Sequence, residues 1–443
     1  MERISRTSTI QIVIINILFV AGAVFSNLLI RAIASFLLLF CILFFKEKNS
    51  VNLLIGLSPV QAILVLTDNG ISLMGVFYLV LFLKQLFVKK VFAPISYWVC
   101  LLPLLFISFV IFAQFGSLYD FAIMCEFFVV ICFLTNFLKG KSNDDHSDLI
   151  DAFLVGSLMC ALNIVLAALL ANGAYQRANG ILDNANYIAI TFVVAGMVSL
   201  IRFIKNNNSI WSLILSGFFL LMVLTTGSRG AILALASSIL WIVLFGFAKY
   251  KKVSIVLMAI FAGLAVLVVL YVAGNQFVTS LYDNMVLRTL NGLANGKNGY
   301  FMDVSSGRMT LWNFYLNEFG NNGFQSIVGL GSNRYYLSSN GGYGFYAHNV
   351  FIGSLMGIGA LGTCFTLALY ITFYKNIRFN QKYRDNLIVY SILIAAIVGY
   401  FFLDGLFDLR ITIYFVLVHA LNNSLFLKEE RRKGGLEYAI QRI

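Results

Sequence analysis

Charge is the first thing this chain is short of. Only 11% of its 443 residues are Asp, Glu, Lys or Arg, while 60% are hydrophobic. Soluble proteins carry about 25% charged residues, so a water-soluble globule of this size is excluded and the apolar excess must face lipid. Proline is scarce, at three residues. No Pro/Gly/Ser-rich linker marks off a second, soluble domain, and no fixed-period repeat is visible. The six cysteines (Cys41, Cys100, Cys125, Cys132, Cys160 and Cys364) all fall in apolar stretches, with no recurring metal-ligand spacing. They read as buried free thiols rather than a disulfide framework or zinc site. No Gly-x-x-x-x-Gly-Lys loop exists for a nucleoside triphosphate, which argues against a sugar-nucleotide, metal-dependent enzyme working from the cytoplasm. No metal site and no cofactor are expected.

What the chain has instead is apolar stretches near the length that crosses hydrocarbon as a helix, with backbone groups satisfied internally. About fourteen can be read. They run 9–26, 28–45, 51–67, 71–88, 93–113, 119–138, 149–171, 186–204, 209–226, 230–248, 253–273, 347–374, 386–403 and 408–427. The fold class is therefore an all-α polytopic membrane protein of about 12–14 transmembrane helices, a single integral membrane domain over residues 1–443. The first stretch follows Arg3 and Arg6 and ends near Ala21-Gly22-Ala23 in the manner of a signal peptide. The many spans after it make a cleaved leader unnecessary.

Lysine and arginine set the orientation. With the N-terminus in the cytoplasm, the even-numbered connections carry Lys46/Lys48, Lys84/Lys89/Lys90, Lys139/Lys141, Arg202/Lys205, Lys249/Lys251/Lys252 and Lys375/Arg378/Lys382/Arg384. Arg3, Arg6 and the C-terminal Lys428, Arg431, Arg432, Lys433 and Arg442 join them. No connection breaks the pattern, so both termini are expected in the cytoplasm of a bacterial inner or plasma membrane. The formal charge of +12 is then a topology signal and not a nucleic-acid-binding patch.

One large break in hydropathy runs from Gly274 to Tyr346, on the side expected to be extracytoplasmic. Loops longer than about 15 residues tend to be functional or disordered, and the aromatic residues here favour function. Within it, Met309, Trp312, Leu316 and Phe319 recur at helical spacing after Ser305-Ser306-Gly307 and before Gly320. They predict a short amphipathic helix on the membrane surface or over a cavity. Gly329-Leu330-Gly331 and the Gly-rich run to Gly344 read as turns. The acids on this side form no Asp-x-Asp pair and no Glu/His cluster.

Few charges lie on that side, so each can be weighed. Arg177 sits in the turn after the seventh stretch. Arg229 sits in Thr225-Thr226-Gly227-Ser228-Arg229-Gly230, a turn so tight that it predicts a hairpin of the ninth and tenth stretches. Arg308 opens the amphipathic helix, and Arg334 follows Gly331-Ser332-Asn333. Asp404, Asp408 and Arg410 lie in the last outward connection. A guanidinium binds phosphate oxygens in a bidentate fork and stays charged at any relevant pH, so convergent arginines predict an anionic head group. Single arginines also serve as anchors to lipid phosphates. Of three histidines, His146 reads as solvated and His419 as a hydrogen-bonded packing residue. His348 stands where the long loop re-enters the membrane, and a neutral imidazole there is a candidate general base.

These residues resemble a family. Thr226-Gly227-Ser228-Arg229-Gly230-Ala231 is similar to the Ser-Arg-Gly turn of the O-antigen ligase and polysaccharide polymerase superfamily. Arg177…Gly180 with Asp183-Asn184-Ala185-Asn186 resembles its Arg-x-x-Gly…Asn segment. Ser306-Gly307-Arg308…Trp312, Gly329-Leu330-Gly331 and Ala347-His348-Asn349 resemble its large outer loop and the helix after it. The resemblance covers about residues 175–365 in the family's order and implies a metal-independent, inverting glycosyltransferase of the GT-C type.

The expected donor is an undecaprenyl-pyrophosphate-linked glycan at the outer leaflet. His348 would deprotonate the acceptor hydroxyl, and Arg177 and Arg229 would hold the pyrophosphate. Arg308, Arg334, Asn349, Tyr343 and Tyr346, with Tyr335 and Tyr336, would contact substrate, the tyrosines by stacking on sugar rings. A chain-length regulator and a flippase of the same pathway extend the expected partners beyond membrane lipid; no nucleic acid is among them. The first expectation is a polymerase of O-antigen, capsule or exopolysaccharide, ahead of an O-antigen ligase with a lipid A-core acceptor. A lipid-linked oligosaccharide flippase or anion transporter is the third reading, kept alive by Glu126 inside the sixth stretch.

Overall fold

A backbone amide in hydrocarbon finds no water, so each apolar stretch closes its hydrogen bonds on itself as a helix. The computed structural model describes residues 6–65, 72–89, 94–115, 118–138, 143–170, 184–205, 210–275, 278–279, 282, 308–321, 323–331, 348–378, 387–403 and 408–440. It shows an all-α polytopic membrane protein, with no strand among the described residues.

The helices are α1 (Arg6–Val24), α2 (Leu28–Phe44), α3 (Glu47–Leu57), α4 (Met74–Lys84), α5 (Ile95–Phe115), α6 (Leu118–Leu138), α7 (Asn143–Leu170) and α8 (Ala185–Lys205). They continue as α9 (Ile210–Thr225), α10 (Arg229–Gly246), α11 (Lys252–Val272), α12 (Arg308–Asn321), α13 (Gly323–Val328), α14 (Val350–Arg378), α15 (Ser391–Tyr400) and α16 (Leu409–Ile440). Seven of them (α5, α6, α7, α8, α10, α11 and α14) are long and apolar enough to cross a bilayer.

Helices stand at all fourteen predicted stretches, and three of those stretches are broken within. The stretch 51–67 is α3 followed by a 3₁₀ turn at Ser58–Ile63, with Pro59 in its first turn. Pro59 has no N–H for the carbonyl of Ile55, four residues back. The Ser58 hydroxyl donates to that carbonyl instead, at 2.7 Å. The broken segment is tolerated at this depth because protein covers it: Val51, Leu53, Leu54, Ile55 and Leu57 are all fully buried. The stretch 71–88 is likewise the short α4 and a π turn at Gln85–Lys89. The third is α14, which breaks at Gly359, where φ is 69° and ψ 179°.

The expected hairpin of the ninth and tenth stretches also opens out. The tight turn forms, but α9 lies along α8 while α10 packs on α15. Two expectations about single residues are corrected as well. His146 is buried, not solvated, with its ring edge-on to His419 at 5.0 Å between centroids. The Asn423 amide bridges the Nε2 atoms of both, at 3.3 and 3.0 Å. Cys364 is exposed on α14 and Cys125 half-buried, whereas the other four cysteines are buried free thiols as expected.

Helix ends sort the charges. At one end of the bundle Lys84 donates to the carbonyls of Ile42 and Leu43 at 3.3 and 2.9 Å, closing the C-terminus of α2. Lys48 bridges Asp145 and Asp148 at 2.6 and 2.7 Å. Arg202 pairs with Asp151, and Lys252 donates to the carbonyl of Phe203 at 2.9 Å. Cations at helix C-termini complement the helix dipole, so this basic end is tied together by the residues that predicted topology.

The opposite end carries α12, α13 and the start of α14, which share a core of their own. Tyr315, Leu330, Ile352 and Met356 are buried together, with Leu311, Trp312, Phe314 and Phe319 against them. The buried face of α12 is thus rotated from the predicted one, since Leu316 is exposed and Tyr315 faces inward. The helix also runs one residue past Gly320, the predicted stop.

Glycine decides how closely the helices approach. A Cβ on Gly156 of α7 would lie 1.6 Å from the carbonyl oxygen of Gly56 in α3, whereas a Cβ on Gly263 of α11 meets nothing within 4 Å. Gly156→Ala is therefore expected to destabilise by about 1–3 kcal/mol through overpacking. Gly263→Ala should be neutral, or stabilising by up to about 1 kcal/mol from helix propensity. Thermal melts of the two purified variants in detergent decide it, and equal melting points would contradict the packing described.

Candidate functional site

Arg229 is delivered to its position by its own turn. Gly227 takes φ 61°, a left-handed conformation that side-chain-bearing residues rarely adopt. The Thr226 hydroxyl donates to the Val223 carbonyl at 2.7 Å and accepts from the Ser228 amide at 3.3 Å. Ser228 then caps α10 by accepting from the amide of Ala231 at 3.4 Å. Arg229 becomes the first helical residue, half-buried at the loop-bearing end. Gly230 beside it lies against α15's end: a Cβ there would sit 3.0 Å from the Cβ of Phe402.

Arg308 arrives from the other direction, as the first residue of α12. Its guanidinium carbon lies 5.8 Å from the centre of the Phe402 ring, within the range of a cation–π contact. One turn on, Trp312 meets Phe401 edge-to-face at 5.7 Å. His348 stands two residues before α14, and Phe351, in the first turn of α14, reaches Phe401 at 6.3 Å. The segments bearing Arg229, Arg308 and His348, far apart in sequence, therefore meet at Phe401-Phe402.

His348 holds φ 48°, a strained conformation for a residue with a side chain, costing about 1–3 kcal/mol. It is half-buried. Its neighbour Asn349 is buried, and its side-chain oxygen accepts from the amides of Phe351 and Ile352 at 3.0 and 3.1 Å. This oxygen is the N-cap of α14, which gives the expected substrate-binding residue a structural task. Asn184 does the same for α8, accepting from the Asn186 amide at 2.9 Å. Arg177, Arg334, Tyr343 and Tyr346, with Tyr335 and Tyr336, lie outside the described residues.

α14 is held to the loop by its own break. Gly359 leaves the carbonyls of Met356 and Gly357 without the helical donors they would otherwise have. The amides of Leu330 and Gly331 donate to those carbonyls at 2.7 and 2.9 Å. Backbone crosses backbone here: a Cβ on Gly329 would lie 2.4 Å from the Gly357 oxygen, and one on Gly359 would lie 2.2 Å from the Ile327 oxygen. The Gly329-Leu330-Gly331 turn, legible only as a turn in the sequence, is the fastening of the loop.

A second polar group lies in the bundle interior. Asp408 accepts from the Arg410 Nε at 3.2 Å and from the Gln61 amide at 3.1 Å. The Arg410 guanidinium carbon stands 4.7 Å from the centre of the Tyr187 ring. Glu126 presses its carboxyl against Gly75, where a Cβ would fall 2.0 Å from the carboxyl carbon. Among the described residues, no three His, Cys, Asp or Glu side chains gather as a metal site would need.

The Phe401-Phe402 corner carried no signal in a chain with 42 phenylalanines. Asp408 and Arg410 were legible as charges, but their tie to Gln61 was not. Comparison with protein-family models and with curated proteins finds no match.

Asn349→Ala is expected to lose about 1 kcal/mol of stability with its cap, and Asn349→Asp to lose little. Melting curves of both variants check this; an unchanged melt for the alanine variant would return Asn349 to a role confined to ligand.

Proposed function

We propose that this protein polymerises glycan repeat units carried on undecaprenyl pyrophosphate, as polymerase members of the O-antigen ligase and polymerase superfamily do. One observation carries the reading: two helix-initiating arginines and a backbone-strained histidine come from three distant segments to one corner of the loop-bearing end. Arginine at the start of a helix suits a pyrophosphate, because the guanidinium fork and the positive end of the helix dipole both favour an anion.

The chemistry follows from these side chains. His348 accepts the proton of the acceptor hydroxyl, and that oxygen attacks the anomeric carbon of the donor sugar. The bond from the anomeric carbon to the pyrophosphate oxygen breaks, its electron pair leaves with undecaprenyl pyrophosphate, and the configuration inverts. Arg229 and Arg308, joined by Arg177, offset the charge that grows on the leaving oxygen. The end of the molecule bearing this corner faces outward, the basic end faces the cytoplasm, and the chain resides in a bacterial inner or plasma membrane.

The strain at His348 supports the reading, since residues held in sparse backbone regions cluster at functional sites. It also supplies a test that separates function from folding. His348→Gly relieves the positive φ, so it is expected to be at least as stable as the parent protein. With no imidazole, glycan transfer should fall by about 10²–10⁴. Arg229→Lys keeps the charge but loses the fork, with an expected loss of about tenfold to a hundredfold. Surface glycan from cells carrying each variant, resolved on a gel, gives the answer. A ladder collapsed to one carrier-linked unit supports polymerisation. A full ladder left on its carrier would make the protein a ligase, and a normal, normally attached ladder would end the mechanism.

A further inference from the structure

The arginines need a common reference if they are to hold one pyrophosphate, because they stand on parts of the molecule with separate cores. Arg229 belongs to α10, whose Ala231 and Ala234 are buried in the main core. Arg308 belongs to the loop unit, whose small core is its own. The two parts meet at one side chain. The Cβ of Phe402 fills the space left by the missing side chain of Gly230, next to Arg229. The ring of Phe402 lies under the Arg308 guanidinium.

Phe402 is itself held in place. Its amide donates to the Gly399 carbonyl at 3.1 Å as α15 ends, and its ring meets Phe401 edge-to-face at 5.3 Å. Phe401 is engaged on its other sides by Trp312 and Phe351. A ring fixed by backbone and neighbours is a suitable stop for a long side chain: Arg308 loses less rotational freedom on binding when an aromatic face already orients it.

We propose that Phe402 is a positioning residue that sets Arg308 and the start of α10 in register for one pyrophosphate ligand. This rests on the function proposed above and deepens it. An aromatic face does what an aliphatic side chain of similar bulk cannot, because the ring quadrupole attracts the guanidinium while the methyl groups of leucine only exclude water. Tryptophan and tyrosine keep the face. Leucine keeps most of the contact with Gly230 and loses the face.

The test uses the full-length protein in lipid nanodiscs, with undecaprenyl pyrophosphate as the probe, and reads its affinity directly. Phe402→Leu is expected to bind about threefold to tenfold more weakly than the parent protein, and Phe402→Tyr within about twofold of it. Arg308→Gln should bind weakly, and adding Phe402→Leu to it should cost little more, because the partner is already gone. Melting points of all variants are recorded, and Phe402→Tyr guards against loss of folding in the leucine variant.

Three results overturn the proposal. If Phe402→Leu binds like the parent while Arg308→Gln does not, Phe402 positions nothing, although the site reading stands. If the Phe402→Leu and Arg308→Gln losses simply add in the double variant, the two side chains do not act together and the ring has another role. If the parent protein itself fails to bind undecaprenyl pyrophosphate, the functional reading falls and takes this inference with it.

Discussion

A helix broken inside a membrane must have its freed carbonyls bonded by something, and much of the loop-bearing end follows from how this chain meets that demand at Gly359. The donors are the amides of Leu330 and Gly331, from a loop whose place the sequence does not specify. An unsatisfied polar group in hydrocarbon costs several kcal/mol, so the two bonds are a strong constraint for their size. They fix α13 across α14, and α13 in turn follows directly on α12. Arg308 and His348 thus acquire defined positions from a contact that involves neither of them.

The same demand is met differently where α3 breaks. There Ser58, through its hydroxyl and its amide, takes the carbonyl that Pro59 cannot serve, and no loop is recruited. The difference has a consequence for where function can sit. The α3 break is closed by its own side chain and buried by α1 and α7, so it adds shape to the bundle and little else. The α14 break is closed by a distant segment, so two parts of the chain meet there and a site can be built between them.

How much of this was legible in the sequence depends on the range of the interactions. Local devices were read well: the turn at Gly227-Ser228-Arg229 lies where its residues say, and α12 occupies the predicted stretch. Lysine and arginine were legible as markers of helix ends. The pairs Lys48–Asp145, Lys48–Asp148 and Arg202–Asp151 indeed gather at one end of the bundle. The readings that failed were those for which hydropathy is blind. Pro59 and Gly359 sit in runs as apolar as an unbroken span, and the tight turn at Gly227 says nothing of where α9 and α10 go beyond it. His146 looked solvated because its neighbours are acidic, yet those acids face Lys48 and leave the imidazole to His419 and Asn423. At the candidate site, Arg229, Arg308 and His348 could be singled out as unusual, but their convergence is a long-range fact. The phenylalanines that bring it about are indistinguishable in sequence from those that face lipid.

The interior charges bear on the choice between an enzyme and a carrier. A transporter keeps its broken helices and midplane ionisable groups available to a moving ligand. In this chain the Gln61 amide, on the turn that follows the α3 break, is spent on Asp408. Asp408 in turn engages the backbone amide and side chain of Arg410 at the start of α16. The carboxyl of Glu126 lies so close over Gly75 that no side chain could replace that hydrogen. The Gln61–Asp408 bond joins the turn after α3 to the start of α16, and Glu126 packs α6 against Gly75 of α4. Arg229 and Arg308 open α10 and α12 at the loop-bearing end, and His348 stands just before α14. Half-buried at that end, they suit the transferase proposed above better than a carrier.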